Sequence, residues 1–303
     1  MKIKIMKEGY AMLVSMAEIL NKAKEEGYGV AAPNVLNLET VEAVFEAARE
    51  LKAPIIIDHA GMENMEIIGE ITRFYERKYP EVVVALNLDH GGEYEEIIYA
   101  IRSGFTSVMI DRSTLPYEEN VAEVKEIVKI AHAVGVSVEA ELGHVGLGYE
   151  YEETRDAGLT KPDEAVRYVK ETEVDCLAVA IGTSHGTYKG TPHLDFELLK
   201  ELSEIIDIPL VLHGGSGTGD ENLKKAVELG IQKINLFTDL SNAGVKDLVG
   251  YVTKDISEEK HIKELGEFGI KSINLHEAFK EGVKGYKRAL MHYMKLFNSV
   301  GRA

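Results

Sequence analysis

The stretch VVVALNLDHGG, residues 82–92, is apolar at six of its first seven positions and then stops on an acid, an imidazole and two glycines. A short hydrophobic run without alternation reads as a strand buried on both faces, the kind found in parallel sheets covered by helices. Asp89 and His90 would be costly inside such a core. The end of the strand is therefore expected to open onto a functional site.

Seven further runs have the same character: residues 29–35, 53–59, 105–111, 136–142, 174–182, 208–215 and 231–237. Between them lie segments of helical period such as ETVEAVFEAAREL (39–51), EEIIYAIRSG (95–104) and ENLKKAVELG (221–230), some ending on the glycine that commonly stops a helix. Strand and helix alternating eight times predict an α/β protein, a closed (β/α)8 TIM barrel over residues 1–303. A doubly wound open sheet shares that alternation and is the competing arrangement. The tail from about Asp239 has helical period and no further strand, so extra C-terminal helices are expected to pack outside the barrel.

Composition narrows the function. The chain has 303 residues, 45% of them hydrophobic, enough for one large core. Its 51 acidic against 34 basic residues give a net charge of -17, which argues against nucleic acid as a partner. The start, MKIKIMKEGYAMLVSM, lacks the apolar core of a signal peptide, and no run approaches a membrane span. A cytoplasmic location is expected, with no membrane partner. Cys176, the one cysteine, sits in an apolar strand and reads as a packed core residue.

In a barrel the C-terminal ends of all strands meet on one face, where reactive groups gather. Those ends hold Asp89 and His90, Asp111, Glu139 and Glu141, His185, His213 and Asn235. Three imidazoles from three strands, His90, His185 and His213, match a zinc site that keeps a position open for substrate. Asp58 and His59 end the second strand and suit either a pocket wall or a structural role. The run HGGSGTG (213–219) leads into a helix beginning near Asp220, and glycine amides beside a helix start suit a phosphate. Its place after strand seven, with Asn235 and Thr238 after strand eight, matches the usual phosphate site of barrels. Residues 143–160 and 183–195 are long, polar connections after strands five and six, and the first reads as a lid.

Taken in order, NVLNLETVEAV, LDHGGEYEEIIYAIRSGFTSVMIDRSTLPYEENV, VSVEAELGHVG, LAVAIGTSHGTYKG, PLVLHGGSGTGDENLKKAVELGIQKINLFTDL and the closing KLFNSVGRA resemble the class II, metal-dependent ketose-bisphosphate aldolases over nearly the whole chain. The resemblance implies that His90, His185 and His213 bind zinc, with Asp111, Glu139 and Glu141 near the metal or at an alternative position for it. It implies that Asp89 exchanges a proton with the aldehyde oxygen, and that a glutamate of the lid is the base. Glu150 is the first choice, with Glu152 and Glu153 as rivals. Gly186, Lys189, Gly214, Gly215, Ser216, Asn235 and Thr238 would surround a dihydroxyacetone phosphate half. The family also implies a monovalent cation, Na+ or K+, and a homodimer or homotetramer.

Fructose 1,6-bisphosphate or tagatose 1,6-bisphosphate is the implied substrate, split to dihydroxyacetone phosphate and an aldehyde such as glyceraldehyde 3-phosphate through a zinc-stabilised enediolate. The chain departs from the family pattern at Pro33, Ala60, Arg112 and Phe237, all at strand ends. The alternatives are a zinc-dependent sugar or sugar-acid epimerase on the same scaffold, or a sugar-phosphate binding protein without catalysis.

Overall fold

A computed structural model describes residues 13–148, 156–186, 188, 192–253 and 274–303. Eight strands appear where the apolar runs predict them: β1 (Val30–Pro33), β2 (Ile55–Ala60), β3 (Val84–Gly91), β4 (Ser107–Ile110), β5 (Ser137–Leu142), β6 (Cys176–Val179), β7 (Leu210–Leu212) and β8 (Ile231–Leu236). They pair in parallel in the order β1-β8-β7-β6-β5-β4-β3-β2. Across the seam between β1 and β2, the Val35 N–H donates to the Asp58 carbonyl at 2.9 Å and Asn34 bridges Asp58. That contact closes the ring, so the sheet is a barrel and not an open doubly wound sheet.

The period of two along each strand sorts residues to two faces. Outward positions such as Ile55, Ile57, Leu86, Leu88, Val138 and Ala140 join the large core beneath the surrounding helices. Inward positions build the barrel interior in layers. Lowest are Val30, Ile56, Ala85, Cys176 and Val211, packed on Met16, Ile19, Leu20 and Ala23 of the Met16–Glu26 helix. This helix closes the bottom of the barrel, and the Met16 N–H is tied to Ser107 Oγ at 2.8 Å. One step up each strand the interior turns polar: Asp58, Asn87, Glu139 and Lys233 are wholly buried.

The tail behaves as its periodicity predicts. Helices Thr238–Thr253 and Leu275–Leu296 pack on one another, and the second also lies on the Leu38–Leu51 helix. The chain end is fixed: the Phe297 carbonyl accepts from the Gly29 N–H at 2.9 Å, and the Ala303 N–H donates to the Lys52 carbonyl at 3.1 Å. From the same tail Tyr286 donates its hydroxyl to the Asn34 carbonyl at 2.7 Å, directly beneath the mouth of the barrel. No helix among the described residues is long and apolar enough to cross a membrane.

Candidate metal centre and phosphate loop

At the end of β3 the backbone leaves the strand. His90 has φ of 53°, a left-handed conformation uncommon for a residue with a side chain, and the β3–β4 register shifts between Leu88 and Gly91. In a regular strand Asp89 and His90 would face opposite sides of the sheet. The turn brings both to the barrel mouth.

There His90 Nε2 lies 3.1 Å from His185 Nε2 and 2.9 Å from His213 Nδ1. The outer nitrogens of two rings are held by acids: His90 Nδ1 by Asp111 at 2.8 Å and His213 Nε2 by Glu139 at 2.7 Å. A ring that donates on one side offers a lone pair on the other, so the second nitrogens of His90 and His213 present acceptors at the shared centre. Acceptors crowded together repel unless a cation joins them. Nitrogen ligands at about 2.0–2.1 Å from a tetrahedral zinc stand about 3.3 Å apart, near the spacing observed here.

The electrostatics agree with that fit. Burial by itself lowers the His90 pKa, but the carboxylates of Asp89, Asp111 and Glu141 outweigh it and push it up to about 10. Burial and the neighbouring imidazoles hold His185 down at about 3 and lower His213. The acids therefore favour one positive charge at the centre of three rings, which a metal ion supplies. A second group, His90, Asp111 and Glu141, can also hold a metal. Glu141 is pushed up to about 8 by burial and by Asp111, and its Oε2 is buried with no hydrogen-bond partner among the described residues. An orphan oxygen beside this cluster is a donor in need of a cation.

Asp89 stands beside the centre, 5% exposed. Its Oδ2 accepts from Asn34 Nδ2 and its Oδ1 from Asn235 Nδ2, both at 2.9 Å. Burial raises its pKa, yet His90, His213 and Lys233 together pull it well below the ordinary carboxylate range. Asp89 is thus an oriented anion. Asn235, expected from the sequence to meet substrate, spends its amide N–H on Asp89.

The phosphate loop follows β7. Gly214 has φ of 67°, and a Cβ there would sit 2.4 Å from the Ser184 carbonyl, so only glycine fits. Tyr188 joins the loops after β6 and β7, accepting from the Ser184 N–H at 2.7 Å and donating to the Gly214 carbonyl at 3.2 Å. Ser216 Oγ accepts from the Phe237 and Asp239 N–H groups at 3.1 and 3.2 Å, which fixes the loop to the start of the Thr238–Thr253 helix. Gly186, Gly214, Gly215, Ser216 and Thr238 line one cavity with His90 and His185, about 390 Å³ in volume. Oriented amides at a helix start beside a metal centre make that side of the cavity suited to a phosphate.

Glu150, Glu152, Glu153 and Lys189 lie outside the described residues. The loop leading to Glu150 is nonetheless anchored to the centre: the His185 N–H donates to the Gly146 carbonyl at 2.9 Å, and the Gly148 N–H donates to the His185 carbonyl at 2.8 Å. His59 is structural, with Nδ1 at 3.0 Å from the Val35 carbonyl and Nε2 at 2.8 Å from that of Glu63. Asp58 belongs to the buried layer, 3.2 Å from Lys233 Nζ.

Two residues escaped the sequence reading. Lys233 is fully buried and its ammonium lies 2.9 Å from Glu139, which in turn holds His213. Asn34 orients Asp89. Both face inward two positions from another interior residue, a signal that appears only once the barrel's inside and outside are known.

Residues 14–302 match the model of the class II fructose-bisphosphate aldolase family. The chain belongs to that family. It is 42% identical to the fructose-bisphosphate aldolase of Thermus caldophilus over 96% of this chain and 100% of the relative. Among solved structures, the YdjI aldolase from Escherichia coli K12 is 33% identical and superposes with a TM-score of 0.81, covering 96% of this chain and 100% of that one. A fructose-bisphosphate aldolase from Campylobacter jejuni, 21% identical, shares the fold with a TM-score of 0.79 over 97% and 98% of the two chains. As a class II family member the chain is an aldolase, and its candidate metal centre and glycine-rich loop lie at the C-terminal mouth of the barrel, where reactive groups gather.

Proposed function

We propose that this protein cleaves a ketose phosphate reversibly to dihydroxyacetone phosphate and an aldehyde, with zinc at His90, His185 and His213. The observation that carries the reading is Asp89, an anion held by two asparagines beside three converging imidazoles. Zinc bound there would act as a Lewis acid on the carbonyl and hydroxyl oxygens of the substrate. In cleavage Asp89 takes the proton of the hydroxyl that becomes the aldehyde oxygen, as the neighbouring carbon–carbon bond breaks. In synthesis it returns that proton as the bond forms. The electron pair of the broken bond stays on the dihydroxyacetone phosphate carbon, which is then protonated, and Glu150 is the proposed donor and base for that step.

Ser216, Thr238 and the glycine amides hold the phosphate and so fix which carbon faces the metal. Asp111 and Glu139 keep His90 and His213 in the tautomers that present a lone pair. The fructose and tagatose bisphosphates implied by the sequence are members of this substrate class. The family likeness supports a cytoplasmic homodimer or homotetramer, and use of a monovalent cation.

The deciding experiment incubates zinc-loaded protein with a panel of ketose phosphates and follows dihydroxyacetone phosphate release with and without a chelator. Release that the chelator abolishes and zinc restores is the expected result. Epimerised sugar with no release would point to the epimerase alternative, and zinc binding with neither reaction would leave a binding protein.

A further inference from the structure

The cavity at the mouth has two unlike ends. Its phosphate-binding end lies over β7 and β8, and the imidazoles and Asp89 lie at its middle. A ketose phosphate bound by its phosphate and gripped at the reacting carbons must extend its remaining carbons over β1 and β2. Val35, Leu36 and Ala60 line the cavity there, and Phe237 lines it too. Leu36 is 54% exposed and Phe237 43% exposed, two large apolar side chains that line this cavity and remain open to solvent.

Beyond them the lining is mixed, with Asn37, Glu39, Thr40 and Ser241 beside apolar side chains. Leu36 and Phe237 also border a second cavity of about 220 Å³, formed where the Thr238–Thr253 helix meets the Leu275–Leu296 helix, whose apolar lining includes Val245, Phe279 and Val283. Among the described residues lining the two cavities there is no lysine or arginine, and the carboxylates are Asp89 in the first and Glu39 in the second. The buried cation below, Lys233, is already paired with Asp58 and Glu139. A dianionic phosphate set against Val35, Leu36, Ala60 and Phe237 would lose water to aliphatic carbon and meet no lysine or arginine among the described lining residues. An aliphatic chain there is favoured by burial.

We infer that the aldehyde half of the substrate is unphosphorylated and carries an aliphatic chain, received by Val35, Leu36, Ala60 and Phe237, so that the ketose split here bears a single phosphate. The inference rests on the aldolase reading and narrows its substrate class. In the synthetic direction the dihydroxyacetone phosphate carbon bonds to the aldehyde carbonyl carbon. The π pair moves onto the aldehyde oxygen, which takes the proton from Asp89, and the proton lost by dihydroxyacetone phosphate balances it.

The test uses zinc-loaded protein and dihydroxyacetone phosphate with acetaldehyde, propanal, butanal, pentanal and glyceraldehyde 3-phosphate as acceptors, and records kcat/KM for each. Exchange of the dihydroxyacetone phosphate proton with solvent is followed in parallel. The expected result is a kcat/KM at least tenfold higher for butanal than for glyceraldehyde 3-phosphate, rising about fourfold per added methylene along the aliphatic series. Leu36→Arg and Ala60→Arg are expected to reverse the preference by tenfold or more. A wild-type preference for the phosphorylated aldehyde, or rates indifferent to chain length, would overturn the inference while proton exchange keeps the aldolase reading intact. No exchange and no addition with any acceptor would overturn the aldolase reading, and this inference with it.

Discussion

Lys233 has none of its side chain exposed and lies between Asp58 and Glu139 at 3.2 and 2.9 Å. Burial lowers an ammonium's pKa, but these two carboxylates outweigh it and raise Lys233 further. The same ammonium holds Glu139 ionised against its burial, and Glu139 orients His213. Lys233→Met keeps the volume and strands two buried carboxylates, so unfolding free energy should fall by about 3–5 kcal/mol in urea titrations. Zinc affinity should drop about 10–100-fold, because Glu139 without the ammonium is no longer held ionised and orients His213 less firmly. Metal titration of folded variant protein separates the two effects. At Asp89 the expectation is different. Asp89→Asn retains hydrogen-bonding shape but not the proton acceptor, so cleavage should fall by about 10²–10⁴ while zinc binding persists. A comparable loss of zinc binding would mean that Asp89 serves the metal and not the reacting oxygen.

At the scale of elements, the eight strands were legible because parallel barrel strands are apolar on both faces and end abruptly. Asp89, His90, His185 and His213 were legible for the same reason, as polar groups where an apolar run stops. What the runs concealed was the interior alternation. Lys233 sits inside IQKINLF, where a single polar residue reads as noise until its neighbours Asp58 and Glu139 are known from β2 and β5. His59 was ambiguous because its partners are backbone carbonyls 24 and 4 residues away, which no residue pattern reveals. The C-terminal helix was visible as a helix, but not its reach: Tyr286 supports the residue that orients Asp89, and Phe297 is fully buried against the start of β1. Phe297→Ala should cost about 3–5 kcal/mol of stability, read as a lowered denaturation midpoint at unchanged slope. An effect below about 1 kcal/mol would show that the tail is an accessory to the barrel and not part of its core.

For the whole molecule, a chain with a charge of -17 concentrates carboxylates around one pocket and leaves a cation to be supplied there. A metal that binds only the folded state stabilises it by mass action, about 2.7 kcal/mol at a hundredfold excess over its Kd. Zinc should therefore raise the melting temperature of stripped protein, and a chelator should lower it. His185→Ala, which deletes a ligand without touching the Lys233 layer, should flatten that response. A zinc-induced rise that survives this change would place the stabilising metal at the Asp111 and Glu141 position instead.

The Met16–Glu26 helix stoppers the barrel from below, with Met16 and Leu20 entirely enclosed. Among the described residues the cavity above it opens at the mouth of the barrel, the end opposite this helix. Leu36 and Phe237 stand at that mouth, so side chains inferred to select the substrate would also set how quickly a bound product leaves, and smaller residues there should speed release.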